Sequence, residues 1–316
     1  MNKTFKIVFN KARGTLMVTN ETTSSVQKKG VSLVTATVAA LAILAAPSVD
    51  AQDINNQTLT STQVIETDAV NSVSHSKFEG LTAEKHGGAL VIKKDTSISN
   101  TSFANNKQTS TAKDTAGGAV FIEGAQVDIF NNSNFSNNTG FYGGAVNVRG
   151  GSQLTVTDSV FSGNHANGFG GAISDCEDKD GAKQNEKISI NRSVFKDNSD
   201  NKGGGALQIV NTKSVDIVDS ELRNNYSAGK GGAIQIENGA ELTATDTVFS
   251  GNTAEGWGGA IRLLNTKVTI SATKDLAMTG NKANVNGKWS KSYRDMGGFA
   301  YLHGNAKLTL ASEKGS

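Results

Sequence analysis

The residues best placed for chemistry form a column that recurs once per repeat of the chain. His75, Asn100, Asn132, Asp158, Arg192, Asp219, Asp246 and Asp275 each lie three places before a phenylalanine or its stand-in, Leu222 or Met278. If successive repeats stack at the strand spacing of about 4.8 Å, Asp219, Asp246 and Asp275 become neighbours. Carboxylates that close must share a proton, hold a cation or face solvent, which makes the trio a candidate catalytic cluster. The same residue types also cap turns, and Arg192 and Asn132 in the column favour that structural role.

Aromatic residues supply a second set. Tyr142, Phe169 and Trp257 each sit immediately before a glycine pair, with Phe141 beside Tyr142. On an exposed edge such rings stack against sugar rings or a protein partner; turned inward, they cover the corner that the glycines leave open. The remaining chemistry is sparse. His75, His86, His165 and His303 are isolated in sequence, and Cys176 is the single cysteine, so no intramolecular disulfide can form. Asp178-Lys179-Asp180-Gly181 has the centre of a calcium loop, but the first ligand place falls on Cys176 and the twelfth on Lys187. No Gly-x-Ser-x-Gly, His-Glu-x-x-His, phosphate-binding glycine loop or Cys-x-x-Cys occurs, so neither a metal nor a cofactor is expected.

These residues are positioned by a repeat. Gly143-Gly144-Ala145-Val146 returns with small changes at Gly87, Gly117, Gly170-Gly171, Gly204, Gly231-Gly232 and Gly258-Gly259, and in degenerate form at Gly297. The steps are 30, 26, 27, 34, 27, 27 and 39 residues. A second phrase runs in phase: Phe161 with Asn164, Phe195 with Asn198 and Phe249 with Asn252 each begin nine residues before a glycine pair. Self-similarity at such a period marks a solenoid.

Alternating apolar pairs follow the glycines, such as Val146 and Val148 or Ile234 and Ile236, and others precede the phenylalanines, such as Leu154 and Val156. A period of two argues for strands with one buried face. No helical period occurs after residue 51. One repeat reads as a coil of two or three short strands, too small to bury its apolar face alone, so stacking must complete the core. The fold class is therefore all-β: a parallel β-helix of about eight coils, expected right-handed. The glycine pairs serve corners, the phenylalanines stack inside, and the asparagines form a ladder of side-chain amides. Residues 52–75 read as a lead-in or cap, and 76–316 as the coils. Polar insertions at Lys107–Thr115, Glu177–Lys187 and Ala283–Met296 are expected to project as loops.

Residues 1–51 read as a cleavable secretory signal peptide. Six basic residues precede an apolar run from Val31 to Ala46, and Val49-Asp50-Ala51 places small residues around a cut after Ala51. The whole chain carries 31 basic and 29 acidic residues. Loss of the leader removes six and two, leaving 25 and 27 and no argument for a nucleic-acid partner.

Two stretches carry a resemblance. Met1-Asn2-Lys3-Thr4-Phe5-Lys6-Ile7-Val8-Phe9-Asn10-Lys11-Ala12-Arg13-Gly14 resembles the extended signal peptide of Gram-negative type V secretion proteins. The Gly-Gly-Ala-Ile and Phe-x-x-Asn phrases, over about residues 76 to 304, are similar to those of chlamydial polymorphic membrane proteins and related autotransporter passengers. The resemblance implies a surface-displayed β-helix acting as an adhesin toward a receptor or glycan on host or neighbouring cells. It also implies secretion machinery and a translocator barrel. Residues 305–316 show no barrel strands, so the sequence is expected to be a truncated form or to depend on a separate translocator. The alternatives are a β-helical polysaccharide lyase or hydrolase working through Asp219, Asp246 and Asp275, and a remnant that is not exported.

Overall fold

The computed structural model describes residues 51–112, 115–175, 183–274, 278–284 and 297–312 in full, and residues 5–10 and 15–20 by backbone. The chain divides into two units, Met1–Pro47 and Ser48–Ser316. The first holds an antiparallel strand pair, Phe5–Asn10 with Thr15–Asn20. The apolar run Val31–Ala46 lies outside the described residues, as do Cys176, Asp178–Gly181 and Asp275.

The second unit is a parallel β-helix. One coil runs through Gln153–Thr157, Val160–Ser162, His165–Phe169 and Ile173–Ser174, and each strand pairs in parallel with its counterparts in the coils before and after. Stacking yields four sheets, here I to IV in chain order, of ten, eight, eight and nine strands. A coil thus has four strands, not two or three. Sheet III is the difference, because strands such as Ser199–Asp200 are too short to display a period of two. Lys107–Gln108 belongs to this sheet and does not project; Gln108 is buried, its side-chain amide donating to the Glu84 and Ser110 carbonyls. Residues 52–75 enter the solenoid too, with Asp53–Asn55, Thr58–Leu59 and Gln63–Ile65 pairing into sheets I, II and IV.

Three columns hold the coils in register. Phe78, Phe103, Phe135, Phe161 and Phe195 are fully buried and stack face to face at centroid separations of 4.5 to 4.7 Å. Leu222 and Phe249 continue the column. Asn106, Asn138, Asn164, Asn198, Asn225, Asn252 and Asn281 form the second. The Asn198 amide donates to Asn225 Oδ1 and to the Phe161 carbonyl, both at 3.0 Å, while its Oδ1 accepts from the backbone and side-chain nitrogens of Asn164. Every polar atom of a buried amide is thereby satisfied. In the third column, hydroxyls such as Ser193 donate to a carbonyl two residues back and accept the backbone N–H of the coil before.

Asn198→Ala orphans the Asn164 backbone N–H inside the core, takes one of two acceptors from the Asn164 side-chain amide and removes a donor from the Phe161 carbonyl. A buried orphaned group costs about 1–3 kcal/mol and each further lost hydrogen bond about 1, so a loss of roughly 3 kcal/mol is expected in urea unfolding. The half-buried Asn281 at the end of the ladder should lose clearly less on the same change.

The glycines divide their labour. The first of each pair has positive φ, 69° at Gly170 and 65° at Gly231. The second lies where the coils come closest: a Cβ on Gly171 would sit 2.5 Å from the Ser199 carbonyl oxygen and clash with that of Gly205.

Candidate binding face

The acidic column lies at the corner between sheets I and II. His75, Asn100, Asn132, Asp158, Arg192, Asp219 and Asp246 all adopt left-handed backbone, with φ from 44° to 60°. Asn and Asp tolerate this conformation best, which explains their recurrence. Their side chains are committed to neighbours rather than to one another. Arg192 grips Asp158 through two hydrogen bonds of 2.8 Å, and those bonds hold the carboxyl below its usual pKa. Asp246 accepts from the Thr273 hydroxyl at 2.6 Å and backbone N–H at 2.8 Å, which also lower its pKa. Lys274 reaches across two coils to Asp219 at 3.0 Å. Of the candidate trio, Asp219 is ion-paired and Asp246 hydrogen-bonded at a left-handed turn, the capping role that the column's residue types favour, and Asp275 lies outside the described residues.

The aromatics lie on the opposite corner, between sheets III and IV. Residues just before the glycine pairs stack as a column: Tyr142, Phe169, Gly203, Lys230 and Trp257, linked by parallel bridges from Phe169 to Gly203 and from Gly203 to Lys230. Tyr142 is only 4% exposed, packed with Phe121 and Ala116 beneath the Arg149 guanidinium. Its ring has no free face, so its candidacy as a ligand platform is withdrawn. Phe169 and Trp257 are half-buried and keep part of theirs.

Two platforms result. Lys202 lies 5.3 Å over the Phe141 ring and 5.4 Å over Phe169; Lys230 lies 4.5 Å over Trp257, which stacks on Tyr301 at 5.4 Å. Such cation–ring contacts contribute about 0.5–1 kcal/mol at exposed sites, little enough for a ligand to displace the lysine. Gly203 opens the space between them, which the Gln235 amide fills. Phe169 and Trp257 are three coil steps apart, about 14 Å.

The outer face of sheet III, beside this edge, holds contacts invisible in the sequence. Ser199 Oγ and His165 Nδ1 share a hydrogen bond of 2.9 Å across adjacent coils. Burial lowers the His165 pKa, favouring neutral imidazole. A serine on a neutral imidazole is the start of a nucleophile–base pair. However, the Ser199 N–H donates to the Asn164 carbonyl and the Asn201 N–H to Ala166, so the strand spends these donors on the preceding coil and not on an oxyanion. The coil step of 34 residues at this point was the signal that would have paired them.

Sheet III also buries acid. Asp200 is 1% exposed; its Oδ2 accepts the Lys202 and Gly203 N–H groups, and burial pushes its pKa up to about 7. Asp175, beside sheet IV, accepts the N–H groups of Val210 and Asn211 and is pushed up by burial to about 6. Tyr226 donates to Glu255 at 2.5 Å, and burial, more than that bond, raises its pKa to about 12.

A raised carboxyl pKa means that the folded chain holds its proton more tightly than the unfolded one. The stabilisation is complete below about pH 4 and lost as pH rises through the folded values, about 6 for Asp175 and 7 for Asp200. The melting temperature is expected to fall by about 5 °C between pH 5 and pH 8, and by less in Asp200→Asn, in buffered thermal scans.

Among the described residues, no group of three or more His, Cys, Asp or Glu could hold a metal ion. Residues 1–50 match the extended signal peptide of type V secretion systems. Residues 158–175 and 246–263 match the Chlamydia polymorphic membrane protein repeat, each spanning a corner aspartate, a phenylalanine, an asparagine and a glycine pair. In these stretches the chain is similar to autotransporter passengers with repeats of this kind. The chain is 36% identical over 107 residues to the probable autotransporter YfaL of Escherichia coli strain K12, a match covering 30% of the chain and 8% of that relative. No solved structure matches it. The match of its leader supports export of the chain to the cell surface or outer membrane.

Proposed function

We propose that the passenger acts by binding, as an adhesin, and that its contact edge is the corner between sheets III and IV. The observation that carries this reading is the pair of ring-and-lysine platforms about 14 Å apart on one rigid edge, the span of a short oligosaccharide. Half-buried rings held by packing offer flat apolar surface at low entropic cost, the property that makes aromatics good anchors for ligands. Sheet III adds amides and hydroxyls beside the rings, from Asn167, Ser199 and Asn201. Two carboxylates of the enzyme alternative, Asp219 and Asp246, are engaged by Lys274 and Thr273, and this favours binding over turnover. Cleavage after Ala51, which is exposed at the start of the described coils, would release this unit from its leader.

Adherence of cells displaying the chain tests the reading. The pair Phe169→Ala and Trp257→Ala should reduce adherence to saccharide-coated surfaces at least tenfold at equal display. Thr155→Ala with Thr243→Ala, on the outer face of sheet I, should leave it unchanged. Equal loss from both pairs would move the contact away from this edge.

A further inference from the structure

We infer that the saccharide recognised at the corner of sheets III and IV is anionic, its sugar rings stacking on Phe169 and Trp257 while its carboxylate or sulfate groups pair with Lys202 and Lys230. This deepens the binding reading above and rests on it.

The lysines argue for the charge. Elsewhere on the solenoid Lys77, Lys93, Lys94, Lys187, Lys213, Lys267 and Lys274 each pair with an acidic side chain. Lys202 and Lys230 have no such partner among the described residues; lysines such as Lys196 and Lys307 share that lack, but Lys202 and Lys230 are held over rings. The acids near them are occupied. Asp200 is turned inward onto the backbone at Lys202 and Gly203, Glu255 is held by Tyr226, and Glu237 is paired with Arg262. The edge therefore presents two uncompensated positive charges, each beside an apolar ring.

Geometry sets the direction. The pre-glycine column runs along the solenoid axis, so a ligand touching both platforms lies along that axis. A neutral saccharide could use the rings but would leave both ammonium groups unpaired. An anionic one lets each lysine move from its ring to the ligand, exposing the ring for stacking as it does so. Long flexible lysine stems make that exchange local, with no change in the coils.

The test is direct binding of the full chain to polygalacturonate, which carries carboxylates, heparin, which carries sulfates, and dextran, which is neutral, at physiological salt. Binding to either anionic polymer and not to dextran is the expected result, weakened at least tenfold in Lys202→Met with Lys230→Met. Lys196→Met, on the outer face of sheet II, should keep wild-type affinity, and all variants should keep wild-type melting. Dextran bound as tightly as the anionic polymers, or affinity unchanged by the lysine pair but lost in Trp257→Ala, overturns the anionic assignment and leaves the binding reading standing. A folded chain that binds none of the three overturns both.

Discussion

Gly171→Ala is expected to prevent the β-helix from folding, although it adds a single methyl group. The new Cβ would meet the carbonyl oxygens of Gly205 and Ser199 and the Ser199 nitrogen, all of them backbone. Nothing there can move aside as a flexible side chain could, because the strands on both sides are hydrogen-bonded to further coils. Relief requires separating the coils, which would break the ladder at Asn164 and Asn198 and unstack Phe161 from Phe195. A loss above about 4 kcal/mol is expected, of the size that only a few named mechanisms produce. Gly239→Ala is the matched control. Gly239 has φ of 83° but nothing within 4 Å of a Cβ, so it carries only the left-handed penalty of about 1–2 kcal/mol. Circular dichroism and urea titration of the two variants separate close approach from backbone conformation. Similar losses would show that the second glycine of the pair is not a packing residue.

Ile234→Asp is expected to remove the single cooperative transition. Ile234 is fully buried, and its strand register places it between Leu207 and Ile261. A carboxylate there has only apolar neighbours in the column, and an unpaired buried charge costs several kcal/mol, comparable with the whole stability of many domains. Because each coil contacts only its neighbours, damage in the sixth glycine repeat should spread along the axis more easily than across a globular core. Thr243→Asp adds the same charge on the exposed outer face of sheet I and should change stability by less than about 0.5 kcal/mol. An unchanged denaturation curve for Ile234→Asp would contradict the inward orientation of sheet IV.

Much of this architecture is legible in the sequence because solenoid stacking makes like residues neighbours. Phe161 and Phe195 are 34 residues apart and stack at 4.7 Å, so in-phase phrases translate directly into contacts. The inward positions of sheets I and IV show their period of two. Sheet III does not, since its later strands have two residues and no room for alternation. The corner column shows how residue type misleads. Asp219 and Asp246 recur because the backbone there is left-handed, and their partners Lys274 and Thr273 belong to a different phrase. Tyr142 and Phe169 look equivalent before their glycines, yet a neighbouring Arg149 and Phe121 bury the first and leave the second half-open. Outer-face pairs such as His165 with Ser199 depend on which coil step separates them, and the insertions vary that step from repeat to repeat.

Display of this β-helix at the cell surface, with the sheet III–IV edge open to the medium, is tested most directly by cysteine scanning on intact cells. In a Cys176→Ser background, Lys202→Cys places a thiol on the edge and Asn198→Cys places one inside the ladder. A membrane-impermeant maleimide added to whole cells should label the first and spare the second, which should react only after denaturation. Labelling of Lys202→Cys only after lysis would contradict surface display. Equal labelling of both on intact cells would contradict the folded coil.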